Sequence, residues 1–403
     1  MTVAALAPDA AEAGALARCA GDVGRFVADD WGRRASVRHG AMLGGFDDLL
    51  TLDEVDRFLT TIALRTPFFR LVQAGERIPE SEYTRSGRAG SRDVAGIADP
   101  AAVASLFEQG ATIVLQGLHR WSEPVARFNR SLELELGHAC QVNAYVTPAG
   151  AQGLELHHDP HDVFVLQAFG RKRWQVHAAP REAHRQPLDA EVGPGDTIYM
   201  PTGTPHAASA QDGISGHLTV GVHVTTWRDM LGDVWRTVAA DASLDDPLDP
   251  GWLRDRSDLA QKLSTRVRAA SERLTTIDAG DAIDARADRF LSARAQLARG
   301  SIAERAETIA LDESTMLYRR PGSVCELRTQ DGEVVALLGD RRLRLPAWIE
   351  PAMRRIASSD AVRIAELDDV IRDPASRLVL ARRLIREGLL TAVPPTGRWP
   401  GRR

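Results

Sequence analysis

Two histidines and one aspartate in the middle of the chain have the residue types and the spacing of a metal site. His157 and Asp159 stand two positions apart shortly before the apolar run VFVL, and His206 closes the segment GDTIYMPTGTPH. In an extended segment, residues i and i+2 point to the same face, so His157 and Asp159 project together while His158 points away. Two imidazoles and one carboxylate form the facial set that holds Fe(II) and leaves coordination positions open. The spacing therefore predicts an iron site.

The two halves of this motif differ in specificity. The His-x-Asp pair alone is a weak signal, and a zinc site that uses several residues of HHDPH, including His161, is an open alternative. The second segment is more specific, because Gly195 favours a turn before a short strand, and Pro201 with Gly203 favour a rigid turn after it. These turns would deliver His206 to the mouth of a barrel. The alternative is a plain hairpin that ends in a stray histidine.

A lysine follows the first half of the motif. The chain has only two lysines, Lys172 and Lys262, although arginine is abundant. On a strand, Lys172 shares its face with Trp174 and Val176, which are candidate interior residues. A buried ammonium needs an anionic partner, and a dicarboxylate co-substrate that chelates the iron at one end would offer its far carboxylate. The alternative is an exposed lysine in the basic turn RKR.

Four polar residues on two other predicted strands complete the candidate site. Asn143 and Tyr145 stand two apart on the strand before the His-x-Asp pair, and His217 and Thr219 stand two apart on a late strand. Each pair shares one face of its strand. Each residue is either a hydrogen-bonding contact to the co-substrate or a polar group at the edge of the core.

Length, charge and cysteine content exclude several classes of protein. A chain of 403 residues predicts two or three domains. The formal net charge of −5 argues against a dedicated nucleic-acid binder. Cys19, Cys140 and Cys325 are too widely spaced for a disulfide framework or a zinc knuckle. Without a signal-peptide pattern or an apolar run of 18 residues, we expect a cytoplasmic protein that crosses no membrane.

The pattern along the chain changes twice. The first ninety residues read as mostly helical, with a helix over LDEVDRFLTTIAL capped by Thr51 or Asp53 and a surface loop over 76–99. From 111 to 226, short strands alternate with turns and are interrupted by a helix over SEPVARFNRSLELEL. Six or more such strands indicate a double-sheet jelly roll.

The remaining third returns to helix. WLRDRSDLAQKLSTRVRAASERL and AIDARADRFLSARAQLARGSI are long arginine-rich helical patterns, and VCELRT and VVALLG predict two strands. Helices are predicted over IEPAMRRIAS, RIAELDDVI and PASRLVLARRLIREG. The final order of helix, glycine and strand is typical of a winged helix-turn-helix.

Several of these segments resemble one family. NAYVTPAGAQGLELHHDPHDVFVLQAFGRKRWQV and GDTIYMPTGTPH are similar to the JmjC (cupin-like) 2-oxoglutarate oxygenases, and most of all to the ribosomal oxygenases, which hydroxylate side chains of ribosomal proteins. LQGLHRW extends the likeness, and FDDLLTLDEVD and LRTPFFRLV do so less specifically. The resemblance implies an α+β fold class: a double-stranded β-helix, a helical dimerisation segment and a C-terminal winged helix. The implied domains are 1–90, the mostly helical part of the catalytic module; 91–228, the JmjC jelly roll; 229–310, the dimerisation domain; 311–395, the winged helix; and 396–403, a tail.

The resemblance also implies roles for the candidate residues. Lys172 matches the residue that binds the distal carboxylate of 2-oxoglutarate, and Asn143 with Tyr145 match a strand that contacts this co-substrate. One position departs from the family, since eukaryotic members often have a co-substrate-binding serine where this chain has Gly221. The departure affects how the carboxylate is held and leaves the iron site intact. The implied iron ligands are His157, Asp159 and His206.

The expected function is an Fe(II)- and 2-oxoglutarate-dependent dioxygenase that hydroxylates histidine or arginine in a ribosomal protein. Such an enzyme converts 2-oxoglutarate to succinate and carbon dioxide, and the long amphipathic helices predict a homodimer. One alternative keeps the chemistry but acts on a small molecule or a peptide natural product. The other is a non-catalytic cupin and winged-helix regulator that binds DNA, for which the last helix offers Arg377, Arg382, Arg383 and Arg386.

Overall fold

The structure is a computed structural model, and the chain divides into two compact units. Residues 6–224 form one unit, and the second contains 225–403. Residues 1–13 and the predicted tail 396–403 lie outside the described residues. The structure describes residues 14–40, 45–152, 155–178, 187–210, 212–254, 256–297, 301–306, 310–330 and 332–394.

The first unit combines five helices with thirteen strands in its described residues. The helices are α1 (Ala15–Ala20), α2 (Val23–Asp29), α3 (Leu52–Thr60), α4 (Pro100–Glu108) and α5 (Glu123–Leu136). The strands are β1 (Ser36–Arg38), β2 (Phe69–Gln73), β3 (Glu76–Arg77), β4 (Thr84–Ala89), β5 (Arg92–Ala98), β6 (Thr112–Leu115), β7 (Ala139–Thr147), β8 (Asp162–Phe169), β9 (Lys172–Val176), β10 (Leu188–Val192), β11 (Thr197–Met200), β12 (His206–Ala210) and β13 (Ser215–His223).

Two predicted helices of this unit are present where the pattern placed them. In α3, the Thr51 side chain accepts a hydrogen bond from the Glu54 backbone N–H at 3.1 Å, which decides between the two predicted caps. In α5, the helix ends at Gly137, whose left-handed φ of 69° suits glycine. Each helix buries one apolar face, α3 through Val55 and Phe58.

The strands form a large sheet and a smaller one that face each other across a second apolar cluster. The large sheet has the order β1-β11-β8-β13-β7-β6-β2-β3, and the smaller one has the order β10-β9-β12. On β8, Phe164 and Leu166 belong to the core that includes the helices, whereas Val163 and Val165 join Trp174 in the cluster between the sheets. This alternation gives the large sheet two buried faces, as in a jelly roll.

The prediction of a mostly helical start with a loop over 76–99 was wrong. Residues 76–98 contain β3 to β5, and β4 pairs with β5 in a two-stranded antiparallel hairpin. The hairpin turns at Gly90, which has a φ of 61° that glycine adopts without strain. Both strands are largely exposed, so polar side chains occupy both faces and hide the alternation that marks a half-buried strand.

The second unit has six helices and six strands in its described residues. The helices are α6 (Trp227–Ala239), α7 (Arg256–Thr276), α8 (Ala279–Ser292), α9 (Ser301–Ala306), α10 (Glu350–Ala357) and α11 (Pro374–Arg386). The strands are β14 (Met316–Arg319), β15 (Glu326–Gln330), β16 (Glu333–Leu338), β17 (Arg341–Pro346), β18 (Ala361–Arg363) and β19 (Leu390–Thr391), in sheets of order β18-β14-β19 and β15-β16-β17.

One helix predicted in this unit is much shorter than expected. RIAELDDVI contains only the single 3-10 turn Ile364–Leu367, because its first residue, Arg363, belongs to β18 and pairs with Met316 of β14. The last predicted helix is present as α11, and Gly388, with a φ of 84°, separates it from β19. None of the described helices has the length and apolarity that a membrane crossing requires.

Candidate metal centre and its cavity

The two predicted histidine ligands face each other as a hydrogen-bonded backbone pair. The backbone N–H of His157 donates to the carbonyl of His206 at 3.1 Å, and the N–H of His206 donates back at 2.8 Å. Gln152 and Ser209 form a second antiparallel bridge, shifted in register by two residues. The chain before the His-x-Asp pair therefore runs along β12 at the edge of the smaller sheet. The pair was expected at the start of the apolar strand, but β8 begins only at Asp162.

The side chains of the predicted triad converge. His157, Asp159 and His206 each offer one ligand atom, and these atoms all lie within 4.8 Å of one another. The Asp159 Oδ2 atom lies 3.7 Å from Nε2 of His206, and the two imidazole centroids are 4.4 Å apart. His158 is exposed and outside this cluster, as the strand parity predicted.

Backbone carbonyls orient both imidazoles. Nδ1 of His157 lies 2.8 Å from the carbonyl oxygen of Glu155, and Nδ1 of His206 lies 2.9 Å from that of Thr204. A carbonyl only accepts hydrogen bonds, so each Nδ1 carries the proton and each Nε2 keeps its lone pair for a metal. Burial lowers the pKa of His206, which also favours the neutral ligating form.

The loop that carries Asp159 is held by its own hydrogen bonds. The carbonyl of Asp159 accepts from the Gly203 backbone N–H at 3.0 Å. Three residues later, the buried carboxylate of Asp162 accepts from the Thr202 backbone N–H at 2.8 Å and from the Tyr199 hydroxyl. These bonds connect the His-x-Asp loop to the turn before His206, which explains why both halves of the motif arrive together.

A cavity extends from the triad into the space between the two sheets. The space free of protein atoms measures about 460 Å³, including the part that is open to solvent. Several predicted site residues meet there, together with apolar side chains of the inner cluster. The lining residues are Thr112, Tyr145, Thr147, His157, Asp159, Val163, Val165, Lys172, Trp174, His206, Ala208, His217 and Thr219.

Lys172 lies inside this cavity, 2% exposed, while the arginines on either side of it are exposed. Its Nζ donates to the Thr147 hydroxyl at 3.0 Å and lies 3.0 Å from Nδ1 of His217. Neither partner carries a negative charge. Burial lowers the pKa of Lys172 to about 7, because an ammonium loses its hydration there.

His217 forms the wall beside Lys172. Its ring stacks on Tyr145 with centroids 5.2 Å apart and an interplanar angle of 8°, and it meets Trp174 edge-on at 5.2 Å. Burial, followed by the charge of Lys172, lowers the pKa of His217 well below its usual range. The imidazole is therefore neutral, and its Nδ1 accepts the hydrogen bond from Lys172. Burial also raises the pKa of Tyr145, so the phenol keeps its proton.

Of the other two predicted co-substrate contacts, one lines the cavity and one does not. Thr219 lines the cavity, but Asn143 is not among the lining residues. The Asn143 side-chain oxygen instead accepts a hydrogen bond from the backbone N–H of Gly117 at 2.9 Å, where Gly117 has a left-handed φ of 64°. Asn143 thus holds the turn after β6, which is the structural role left open by the sequence.

Two polar cavity residues were not predicted from the sequence. Thr112 and Thr147 lie next to each other on β6 and β7, and the Thr112 hydroxyl donates to that of Thr147 at 3.1 Å. Thr147 could have been found, because it stands two residues after Tyr145 on the same face of β7. Thr112 had no such neighbour, since its strand is short and buried throughout.

Comparison with known proteins places this site in a family. The JmjC domain family matches residues 119–230, which include the whole triad and Lys172. This part of the chain is similar to JmjC domains. Human "Ribosomal oxygenase 1" is 33% identical over 178 residues, which cover 40% of this chain. Rat "Ribosomal oxygenase 2" is 32% identical over 191 residues, or 41% of this chain. The predicted resemblance to the JmjC ribosomal oxygenases is thereby confirmed.

The likeness to these relatives is partial in length. The aligned region spans 28% of the human protein and 41% of the rat protein. A solved structure matches over more of the chain: the Escherichia coli ribosomal oxygenase YcfD in complex with cobalt and 2-oxoglutarate has a TM-score of 0.54. It is 19% identical, and the match covers 92% of this chain and 98% of YcfD. This match shows that the JmjC/cupin fold, with its mixture of helices and strands, is shared.

Proposed function

We propose that this chain is an Fe(II)- and 2-oxoglutarate-dependent oxygenase that hydroxylates a histidine or arginine side chain of a ribosomal protein. The observation that carries this proposal is one cavity with a two-histidine, one-carboxylate cluster on its wall and an unneutralised buried lysine deeper inside. The names of the relatives support the ribosomal substrate, and the cobalt and 2-oxoglutarate held by YcfD support the cofactors.

The residues of the cluster fit Fe(II). His157 and His206 present unprotonated Nε2 atoms, Asp159 adds an anionic oxygen, and protein ligands on one face leave the other positions free. Iron bound there supplies the oxidation chemistry, in which dioxygen and 2-oxoglutarate are consumed and succinate, carbon dioxide and a hydroxylated side chain are formed. The protein contributes ligation, orientation and the exclusion of water.

The distance between the cluster and Lys172 suits a short dicarboxylate. His206 pairs with Val176 on β9, and Lys172 pairs with Ala210 four residues along the same ladder. The backbone positions are therefore about 13 Å apart along the strands, and both side chains reach inward to shorten this gap. We propose that one end of 2-oxoglutarate occupies the cluster and the other carboxylate accepts hydrogen bonds from Lys172, with Thr147 beside it.

The walls between these ends are apolar. Val163, Val165 and Trp174 are each buried and line the cavity. A desolvated site strengthens the attraction between the ammonium and a carboxylate, because fewer water molecules screen the two charges. The same walls keep bulk water from the reacting groups.

Helices α6 and α7 of the second unit carry a row of exposed apolar side chains. Trp227, Leu231 and Trp235 recur every four residues on α6 and are 83%, 66% and 50% exposed, and α7 adds the exposed Leu263 and Val267. We propose that this apolar row is buried against a second copy of the chain, so that residues 229–310 form the dimerisation domain and a twofold dimer results. Light scattering should return twice the 43.9 kDa chain mass, and a single 43.9 kDa particle at micromolar concentration would contradict the dimer.

We further propose that residues 311–395 form a winged helix without a DNA-reading role. The order of α10, α11 and β19 supports the winged-helix assignment. Arg377 is buried and bonded to Glu313 at 2.6 Å, and Arg383 contacts Glu387 at 2.8 Å, which leaves less free positive charge on α11. A ribosomal substrate also favours action in the cytoplasm, and residues 1–90 and 91–228 together form the proposed catalytic module.

The test has two parts. The protein, purified without oxygen, should bind one Fe(II) and convert 2-oxoglutarate to succinate once oxygen is admitted. Mass spectrometry of ribosomal proteins from cells with and without this chain should then show one peptide that differs by about 16 daltons, the mass of one added oxygen. Succinate formation without any modified ribosomal peptide would favour the alternative of a small-molecule or peptide natural product.

A further inference from the structure

A second polar cluster lies on the inner face of the large sheet, one step beyond the cavity. Gly221 of β13 pairs with Val163 of β8 on one side and with Gln141 of β7 on the other. Val163 lines the cavity, and His161 stands two residues before it, on the same side of the chain. The step between same-face residues is about 6.8 Å along a strand, so this cluster borders the cavity.

The cluster stands at the open end. The Asp159 side chain is 29% exposed and His223 is exposed, whereas Lys172 at the other end is buried. A macromolecular substrate that inserts one side chain must enter from the exposed end and pass this border.

His161 occupies the space that a side chain at position 221 would need. A Cβ atom built on Gly221 would lie 2.7 Å from Cε1 of His161 and 3.0 and 3.1 Å from its ring nitrogens. The backbone of Gly221 is ordinary strand, so its conformation does not require glycine. Close packing of the imidazole against the strand is therefore the reason for glycine here.

Hydrogen bonds set the orientation of His161. Its Nδ1 lies 3.3 Å from the carbonyl of Asp162, and its Nε2 lies 3.3 Å from the side-chain nitrogen of Gln141. The carbonyl accepts from Nδ1, so Nε2 is unprotonated and accepts from the Gln141 amide. The ring also meets His223 edge-on, with centroids 5.2 Å apart. None of these contacts reaches the triad.

We propose that His161, packed on Gly221, forms with Gln141 and His223 the rim that receives the substrate side chain and determines which side chain enters. This inference rests on the proposed function. The rim takes an uncharged side chain with an N–H donor, which hydrogen-bonds to the Gln141 side-chain oxygen while its plane contacts the imidazoles. Between the two candidates above, imidazole fits this description and guanidinium does not.

Charge supports that choice. Burial lowers the pKa of His223, because its partly dehydrated surroundings disfavour a positive charge. The side-chain amide of Gln141 directs its nitrogen toward His161. In the described part of the chain, the oxygen of this amide makes no hydrogen bond. A neutral donor gains this bond without the cost of bringing a cation beside two imidazoles.

The experiment compares His161→Ala, Gly221→Ala, the double variant and His161→Gln with the wild type. Ribosomal proteins extracted from purified ribosomes of cells that lack this chain serve as the probe. The readout is the extract concentration that gives half-maximal formation of the hydroxylated peptide. Each single variant should raise it about tenfold, the effect of one lost hydrogen bond to a positioned group. The double variant should be no worse than either single one, because both remove the same imidazole from the same place.

The outcomes of this experiment separate the hypotheses. His161→Gln should recover part of the loss, since its amide reaches the position of Nε2, and exposed His158→Ala should leave the half-maximal concentration unchanged. The proposed role of the rim would be contradicted if the two effects on the half-maximal concentration added in the double variant, or if neither single variant changed it. Absence of succinate from the wild type would overturn the proposed function and the rim with it. Hydroxylation mapped to an arginine would overturn the preference for an uncharged side chain.

Discussion

The two ends of the cavity are built in different ways. At the triad, the ligands stand in or beside turns, and backbone carbonyls of Glu155 and Thr204 fix the two rings. At the inner end, Lys172 stands on a regular strand, and side chains fix it: the Thr147 hydroxyl and the His217 ring. The triad end is partly open to solvent, whereas the inner end is buried. Backbone-held groups resist single substitutions around them, but side-chain-held groups depend on each neighbour.

The largest effect should come from removing a ligand at the triad. Replacing His206 by alanine leaves one imidazole and one carboxylate, which hold Fe(II) poorly, so 2-oxoglutarate turnover should fall more than about a hundredfold, beyond the loss typical of outer-shell changes. His157→Ala and Asp159→Ala should behave alike. Succinate release and iron content, measured on the same samples, would check this. The matched control is His158→Ala, and an inactive control beside an active His157→Ala would reverse the assignment of ligands.

A large but different effect is expected at the inner end. In Lys172→Ala, the far carboxylate of 2-oxoglutarate is buried without its partner, which costs about 3–5 kcal/mol, or about two to four orders of magnitude in affinity. Iron should still bind, because the triad is untouched. Lys172→Arg should lose less, since the charge remains although the group is bulkier. Lys262→Ala, whose lysine is exposed and paired with Asp249 and Asp258, is the control. If Lys172→Ala required no more 2-oxoglutarate than the wild type, Lys172 would not bind the far carboxylate, and the two ends of the cavity would not differ in the proposed way.

The pH should change the affinity for 2-oxoglutarate through Lys172 at the inner end. Lys172 has its pKa lowered to about 7 by burial, and a bound carboxylate favours the charged form, so binding takes up a proton above that pH. Below pH 7 the ammonium is already charged, and affinity is at its highest. Affinity for 2-oxoglutarate should fall about twentyfold between pH 6.5 and 8.5 as the charged fraction declines. Oxygen-free calorimetry at saturating Fe(II), in buffers of different ionisation enthalpy, would count the proton. If no proton is taken up at pH 8, Lys172 is already charged at that pH before 2-oxoglutarate binds.

The smallest effect should come from the hydroxyls beside the lysine. Thr147→Val keeps the shape of the side chain but removes the acceptor that lies 3.0 Å from Nζ, so affinity for 2-oxoglutarate should fall about tenfold. Thr112→Val removes a donor whose hydrogen bond goes to Thr147 and not to Lys172, so its effect should be weaker. Titration of both variants at one pH would rank them. Equal losses would mean that the two hydroxyls act as one unit.

The same contrast explains what could be predicted from the sequence. Strand parity placed Lys172 and Trp174 inside and put His158 apart from His157, because side chains alternate regardless of the neighbouring strands. Asn143 and Tyr145 share one parity, yet only Tyr145 lines the cavity, because the Asn143 amide is used by a turn distant in sequence. Which polar group faces a ligand depends on partners that local pattern does not contain.

The strands that were missed include β10, β12 and the hairpin over 84–98, for a related reason. β10 (LDAEV) and β12 (HAASA) contain few large apolar residues, and they are strands because both pair with β9 between them. The pattern recognised β9 by its own alternation but gave no sign of its neighbours. The alternation that revealed Lys172 thus exists only where one face of a strand is buried and the other is exposed.

The backbone bridge between His157 and His206 has a consequence for hydrogen exchange. The amide protons of these two residues are donated across the join between β12 and the chain segment beside it. Both exchange with solvent deuterium only when this join opens. A metal held by the two side chains would cross-link the same two residues, so each opening would also require a ligand to leave. Exchange at these two amides should therefore slow as Fe(II) is added, while that of amides in the β4–β5 hairpin stays constant, which gives a measure of metal binding without catalysis.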